Sequence, residues 1–242
     1  MIAQPTTITS ATPGPQPAAI AYPDSDGQPM ADNTKQFHWI QTIQSNLAAI
    51  FADNPEVFVA GDLLWYPTEG DNKTRQAPDV MVVFGVPKGD RGSYMQWREG
   101  GIAPQVVFEI WSPGNRLGEM FKKQAFYDTY GVEEYYVYNP DSNDLTVAVR
   151  SPEGDLRLID EPAEDWVSPR LGIRFHVDEE TLTLFGPDGR PFSTLTEERQ
   201  RADQEQQRAE QERQRAEQER DRADRLAARL REMGIDPAAI AE

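Results

Sequence analysis

Six consecutive residues, Val106-Val107-Phe108-Glu109-Ile110-Trp111, limit what this chain can fold into more than any other stretch. Apolar side chains occupy both parities of the run. A strand formed here is therefore covered on both faces and belongs to a sheet held between other layers. Glu109 breaks the pattern, because a carboxylate in such a strand is costly unless a cation or several donors compensate it. A second acid, Asp79, follows Pro78 and opens the run Val80-Met81-Val82-Val83-Phe84, where the chain enters the sheet. Two acids on neighbouring strands can share a hard divalent cation, since Mg²⁺ takes carboxylate oxygens and keeps several waters. The same spacing also suits a plainer arrangement, with Asp79 capping the turn after Pro78 and Glu109 in a buried ion pair.

The surrounding sequence reads as a mixed α/β domain. Phe37, Ile40, Ile43, Leu47 and Ile50 recur three or four apart, which predicts an amphipathic helix from about 34 to 52. Short β-branched or aromatic runs at 57–66, 80–84 and 105–111 predict strands. A helix expected over 115–130 and closed by Gly131 leads to strands at 134–139 and 144–150, a crossover within a small mixed sheet flanked by helices. Leu156 to Ile159, Ile173 to Val177 and Leu182 to Phe185 read as short peripheral strands.

The 115–130 helix carries a third charged residue of interest. With Met120 at zero on a helical wheel, Tyr127, Tyr130 and Phe126 fall at about 340°, 280° and 240° and define the apolar stripe. Lys123 lies at about 300°, inside that stripe, and Lys122 at about 200°, on its edge. A lysine in a core-facing stripe either snorkels along apolar surface or meets an acidic site. Glu119, one turn earlier, is an alternative ion-pair partner for Lys123.

Composition changes at both ends of this body, which spans about 32–194. Residues 1–31 run through Pro, Thr, Ala, Gln and Ser with no sustained apolar period and read as a mobile, disordered arm. Beyond Thr194, Ala202, Ala209, Ala216 and Ala223 repeat every seven residues among Gln, Glu and Arg, predicting a long polar helix over 195–242 stopped by Gly234 and Pro237. The second seam position holds Gln206, Arg213 and Arg220, which argues against a tight coiled coil. The helix is either a solvated or weakly oligomerising element, joining copies of the chain, or a partner-binding device.

Acidic residues number 41 against 24 Lys and Arg, a net charge of −17. This excludes a tight non-specific nucleic-acid coat, which needs clustered cations, but not an enzyme that reaches phosphates through bound metal. Cysteine is absent, so no thiolate nucleophile or thiolate metal site exists. His38 and His176 are too far apart in sequence to suggest a histidine-centred site. No apolar run of about 18 residues or basic, apolar leader is found, which predicts a cytoplasmic protein without a membrane partner. Gly85 to Gly101 holds five Gly with Lys88, Arg91 and Arg98 but lacks Walker spacing. It reads as a long mobile loop touching substrate phosphates, in which Tyr94 and Trp97 either stack on a base or pin the loop to the domain. Asp62, inside the 57–66 run, is either an outer third metal ligand or a turn or bulge residue.

Together, Pro78-Asp79, Glu109 in an apolar strand and a lysine on the following helix resemble the PD-(D/E)xK nuclease superfamily, in its Uma-type restriction-endonuclease branch. Ser112-Pro113, Lys123 four residues before Tyr127, Gly131-Val132-Glu133-Glu134-Tyr135-Tyr136 and Asn139-Pro140 are similar to that branch, as is the polar tail. The resemblance covers roughly 35–190, with its core at 78–140. It implies a restriction-endonuclease-like α/β fold and a DNA substrate. It also implies Mg²⁺ or Mn²⁺ held by Asp79, Glu109 and the Ile110 carbonyl, with Lys123 as catalytic lysine. Trp111 departs from the pattern, standing where the superfamily usually has its lysine, and the branch implies that this lysine has migrated to Lys123. Two functional expectations follow. The co-occurrence of Asp79, Glu109 and Lys123 favours a metal-dependent DNA endonuclease. The acidic charge and Trp111 favour a catalytically inactive nuclease-fold module that binds or assembles through its tail.

Overall fold

The structure, a computed structural model, describes residues 20–27, 29–159 and 165–234. It divides into two units, Met1–Pro191 and Phe192–Glu242. In the first, α1 (Thr34–Ile50) begins at Asn33, whose side chain accepts the Gln36 amide N–H and so satisfies one of the helix's free donors. Its buried stripe is Gln36, Ile40, Ile43 and Leu47, whereas Phe37 is 41% exposed. The stripe thus starts one residue earlier than the apolar spacing predicts, and on a polar side chain.

Six strands follow the expected runs and assemble into one sheet, the expected peripheral strand at 156–159 forming its edge. These are β1 (Val57–Gly61), β3 (Val80–Phe84), β5 (Val106–Ile110), β6 (Glu134–Asn139), β7 (Asp144–Arg150) and β8 (Leu156–Leu158), in sheet order β1-β3-β5-β6-β7-β8. Within this sheet β5 and β6 run parallel, joined by α2 (Leu117–Thr129), and every other neighbouring pair is antiparallel. The 57–66 run does not form one strand. Asp62 adopts a left-handed φ of 47°, its N–H bonding the carbonyls of Pro78 and Asp79, and the chain leaves the sheet there. Aspartate tolerates that conformation better than most residues. Beyond it, β2 (Trp65–Tyr66) pairs parallel with β4 (Tyr94–Met95), which lies in the glycine-rich loop. Tyr94 is fully buried and donates to the Ile102 carbonyl at 2.7 Å, so this aromatic pins the loop.

Side chains alternate across each strand, and the register assigns them. Met81 faces Val107 and Val107 faces Tyr135. These residues share one buried cluster with Trp65 and with Tyr127 of α2. On the opposite face Phe108 and Tyr136 stack on Phe175, at centroid distances of 6.2 and 4.5 Å. Phe175 belongs to a second sheet ordered β11-β10-β9, formed by β9 (Asp165–Val167), β10 (Arg174–Val177) and β11 (Leu182–Phe185). β9 has no counterpart among the predicted strands. Glu134, 1% exposed, ties the two sheets together. Its carboxylate accepts from Tyr136 Oη (2.8 Å), Ser168 Oγ (2.5 Å) and the Arg170 N–H (2.6 Å).

Part of the region predicted as a mobile arm falls within the described residues and lies against the body. Tyr22 packs on Tyr66 and Trp97 at 5.2 and 5.0 Å between centroids, and its hydroxyl accepts the Gly70 N–H at 2.6 Å. Tyr66 Oη donates to the Pro23 carbonyl at 2.7 Å, and Asn72 Nδ2 to that of Ala21 at 2.8 Å. The expectation for residues 1–19 and 28 lies outside the described residues.

The second unit is α3 (Leu195–Glu232), 38 residues with none buried. Thr194 and Glu197 cap it reciprocally: the Thr194 hydroxyl accepts the Glu197 N–H and the Glu197 carboxylate accepts the Thr194 N–H. The expected helical stop at Pro237 lies outside the described residues.

Candidate active site

Asp79 sits where β3 begins, and because its parity matches that of Met81 it points to the same face as Glu109. It is 7% exposed, and its Oδ2 accepts the Ile110 N–H at 2.6 Å. Burial, and then the charge of Glu109, push its carboxyl up to about 8 against the lowering pull of Lys123 and of hydrogen bonding from Ile110 and Gln36. Glu109, 2% exposed, is held through both oxygens: Oε2 accepts from Lys123 Nζ at 2.6 Å and Oε1 from Tyr127 Oη at 2.5 Å. Burial alone would lower the Lys123 ammonium. Glu109 and then Asp79 outweigh it and hold the group above its ordinary value. Tyr127 is driven well above its ordinary value by burial and then by Glu109.

Asp79, Glu109 and Lys123 are thus brought together, as the sequence predicts. The wheel placement of the two lysines also agrees with the structure: Lys123 is partly buried in an ion pair and Lys122 is exposed. Glu119 does not pair with Lys123. It lies in the first turn of α2, where its carboxylate accepts the Arg116 N–H at 3.3 Å. Asp62 takes the turn position just past β1. Its carboxyl is raised by burial and then by Asp26, and it feels the charges of Lys123 and Glu109, so it borders the pair. Trp111 lies just past the end of β5, where its N–H donates to the Tyr138 carbonyl at 2.8 Å. The histidines are elsewhere: His38 is exposed on α1, and His176 pairs with Asp165 at 3.0 Å.

Three polar groups at this site escape sequence reasoning. Gln36, 6% exposed, donates through Nε2 to the Ile110 carbonyl at 3.0 Å and accepts the Asp32 N–H at 2.8 Å. The spacing 36-40-43-47, with a glutamine at its head, is the signal that would have found it. The Tyr127 hydroxyl is hidden by the ring's role in the apolar stripe, although its position four residues after Lys123 puts both on one face. The Tyr135 hydroxyl is buried with no hydrogen-bond partner among the described residues, and it lies in the field of Glu109 and Asp79.

The donor set is all oxygen: two carboxylates and the Ile110 carbonyl, which keeps a second lone pair beside its bond to Gln36. Two buried carboxyl groups lie beside one ammonium, and burial, then the charge of Glu109, keeps the proton on Asp79. A small hard cation would take the place of that proton. No cluster of three or more His, Cys, Asp or Glu suited to a metal occurs among the described residues, so the fit is to an ion that retains several waters, as Mg²⁺ does.

A mixed sheet with α2 on one face, carrying an acid at the start of one strand and another inside its neighbour, is the restriction-endonuclease-like fold. Residues 12–190 match the Uma2 family, described as "Putative restriction endonuclease", and the chain belongs to that family. Among solved structures, a putative nuclease belonging to DUF820 from Anabaena variabilis is 20% identical. The match covers 58% of this chain and 75% of that one, with a TM-score of 0.44. No curated protein matches the chain.

Proposed function

We propose that this protein is a divalent-metal-dependent endonuclease that hydrolyses phosphodiester bonds in DNA. The observation that carries this reading is the convergence of Asp79, Glu109 and Lys123 at one buried point, where two carboxyl groups share a single ammonium and the raised Asp79 holds a proton that a cation would displace. Asp79, Glu109 and the Ile110 carbonyl would hold Mg²⁺ or Mn²⁺. When bound, the ion supplies a water of lowered pKa and charge stabilisation at the scissile phosphate. The chain's own residues do the rest. Lys123, its ammonium secured by Glu109, places positive charge beside the reacting oxygens, where a preorganised donor is most effective. Tyr127 fixes the second Glu109 oxygen, and Gln36 fixes the carbonyl of Ile110, so the donor set is oriented before substrate arrives. Lysine at position 123 supports the reading despite Trp111, because the helix delivers an ammonium to the same carboxylate.

Incubating the purified protein with supercoiled and linear DNA in Mg²⁺, Mn²⁺ or EDTA, beside Asp79→Ala, tests it. Cleavage that needs the metal and Asp79 is expected. Intact DNA under every condition would instead favour the inactive module, in which the Lys123–Glu109–Tyr127 cluster is only a buried polar network.

A further inference from the structure

A hollow of about 290 Å³ lies outside the carboxylate site, lined by Asp24, Arg91, Ser93, Met95, Arg98 and Glu99. The Ser93 hydroxyl is buried there with no hydrogen-bond partner among the described residues. Arg91 is fixed: its guanidinium holds both oxygens of Glu99 at 2.7 and 3.2 Å, donates to the Pro87 and Gly89 carbonyls, and lies over the Phe58 ring. Arg98 is exposed and makes no ion pair among the described residues. The Asp24 carboxylate comes so close to Gly92 that a Cβ there would lie 2.4 Å from its carbon; only glycine admits an oxyanion at this point.

Charge decides what the hollow takes. Arg91 and Glu99 cancel, and the other charges in the lining are Arg98 and Asp24, with no ion pair between them. If Asp24 leaves, the hollow keeps one positive charge and an unused hydroxyl donor. A phosphodiester carries the same single negative charge as Asp24, with oxygens that suit a guanidinium fork and a serine hydroxyl. The neighbouring contacts extend the likeness. Tyr22 lies against Tyr66 and Trp97, an aromatic surface of the kind on which bases stack. Asp26 is two residues from Asp24, at most about 7 Å along the chain. Tyr66, on which Tyr22 packs, follows Trp65, whose ring stacks at 6.3 Å on Tyr127, the residue that donates to Glu109.

We infer that the hollow is a phosphodiester subsite on the path of a polynucleotide strand to the carboxylate site, and that Tyr22–Asp26 occupies this path in cis. Asp24 stands in for a phosphate and Tyr22 for a base. The inference rests on the nuclease reading and adds the route by which the strand is held. The full chain is titrated against a fluorescent single-stranded oligonucleotide and its duplex in EDTA, by anisotropy over a salt series, and the same oligonucleotides are then exposed to Mg²⁺.

Asp24→Asn is expected to tighten binding about five-fold. Arg98→Ala should weaken it by a similar factor and reduce the salt slope by about 1, the change for one lost phosphate contact. Wild-type binding and cleavage with neither variant altering affinity would overturn the subsite and leave the nuclease reading standing. Absence of both binding and cleavage in the wild type and in Asp24→Asn would remove the nuclease reading, and the subsite with it. Displacement of the oligonucleotide by poly-glutamate at equal charge concentration would make the hollow a site for acidic peptide and overturn the assignment to nucleic acid.

Discussion

Lys122 and Lys123 are adjacent on α2 yet meet different surroundings, because each helical step turns the side chain by about 100°. Lys123 Nζ reaches Glu109 at 2.6 Å while Lys122 is exposed. Lys123→Ala should therefore reduce DNA cleavage by about 100-fold or more, the range for a positioned electrostatic group, and Lys122→Ala should stay within a few-fold. Equal effects in a single-turnover assay would refute the role given to Lys123. Glu109→Gln keeps the shape of the side chain and removes the charge a hard cation requires. Calorimetry should show most Mg²⁺ and Mn²⁺ affinity gone in a variant that remains folded. Asp79 adds a pH dependence. Its carboxyl lies at about 8 in the folded, metal-free chain against an ordinary 3.8. The stability it contributes is thus fully present below about 3.8 and lost as pH rises through about 8. A cation must displace that proton, so at pH 7 Mg²⁺ binding should release close to one proton, and apparent affinity should climb until about pH 8. Binding heats that do not change between buffers of different ionisation enthalpy would contradict this.

At the level of elements, what was legible was what repeats. α2 was expected over 115–130 and spans Leu117–Thr129, and the strand runs at 80–84, 134–139 and 144–150 have the predicted limits. Apolar periodicity records burial, and burial shaped these segments. Two features carry no periodic signal. The break at Asp62 comes from a single left-handed residue inside an apolar run, and apolarity alone does not separate one bent path from one straight strand. The docking of Ala21–Asp26 rests on a few side chain to backbone bonds and one aromatic cluster, too few residues to show a period. At the candidate site the charged trio was readable because charge is conspicuous in apolar runs, whereas Gln36 and the tyrosine hydroxyls were masked by belonging to buried stripes. α3 follows helix propensity with no buried residue. Truncation after Thr194 should shift the melting temperature of the remainder by no more than about 2 °C, as expected when only exposed surface is lost. A larger drop by differential scanning calorimetry would mean that the helix supports the rest of the chain. Sedimentation of the same pair tests whether it also joins copies.

The six-stranded and three-stranded sheets are joined by a buried carboxylate. Burial raises Glu134 above its ordinary 4.5, outweighing the hydrogen bonds from Ser168, Tyr136 and Arg170. Its contribution to stability is therefore greatest below about pH 4.5 and declines as pH rises through its folded value. Glu134→Gln has no such titration, so its urea midpoint should improve relative to the wild type between about pH 4 and 8. A constant offset across that range would show that the group does not titrate differently on folding.

Glu134 and Tyr135 are consecutive, yet one clasps the second sheet and the other lies beside the carboxylate site; Phe108 and Glu109 divide the same two faces on β5. Strand parity thus makes chain length a more stringent requirement than side-chain identity. One residue inserted ahead of Phe108 within β5 would turn the Glu109 carboxylate toward Phe175 and present the Phe108 ring to Lys123, inverting both layers at once. Conservative replacements along β5 alter one contact each. In a library of variants, frame-preserving substitutions between 106 and 110 should often yield soluble protein, while single-codon insertions and deletions there should yield almost none.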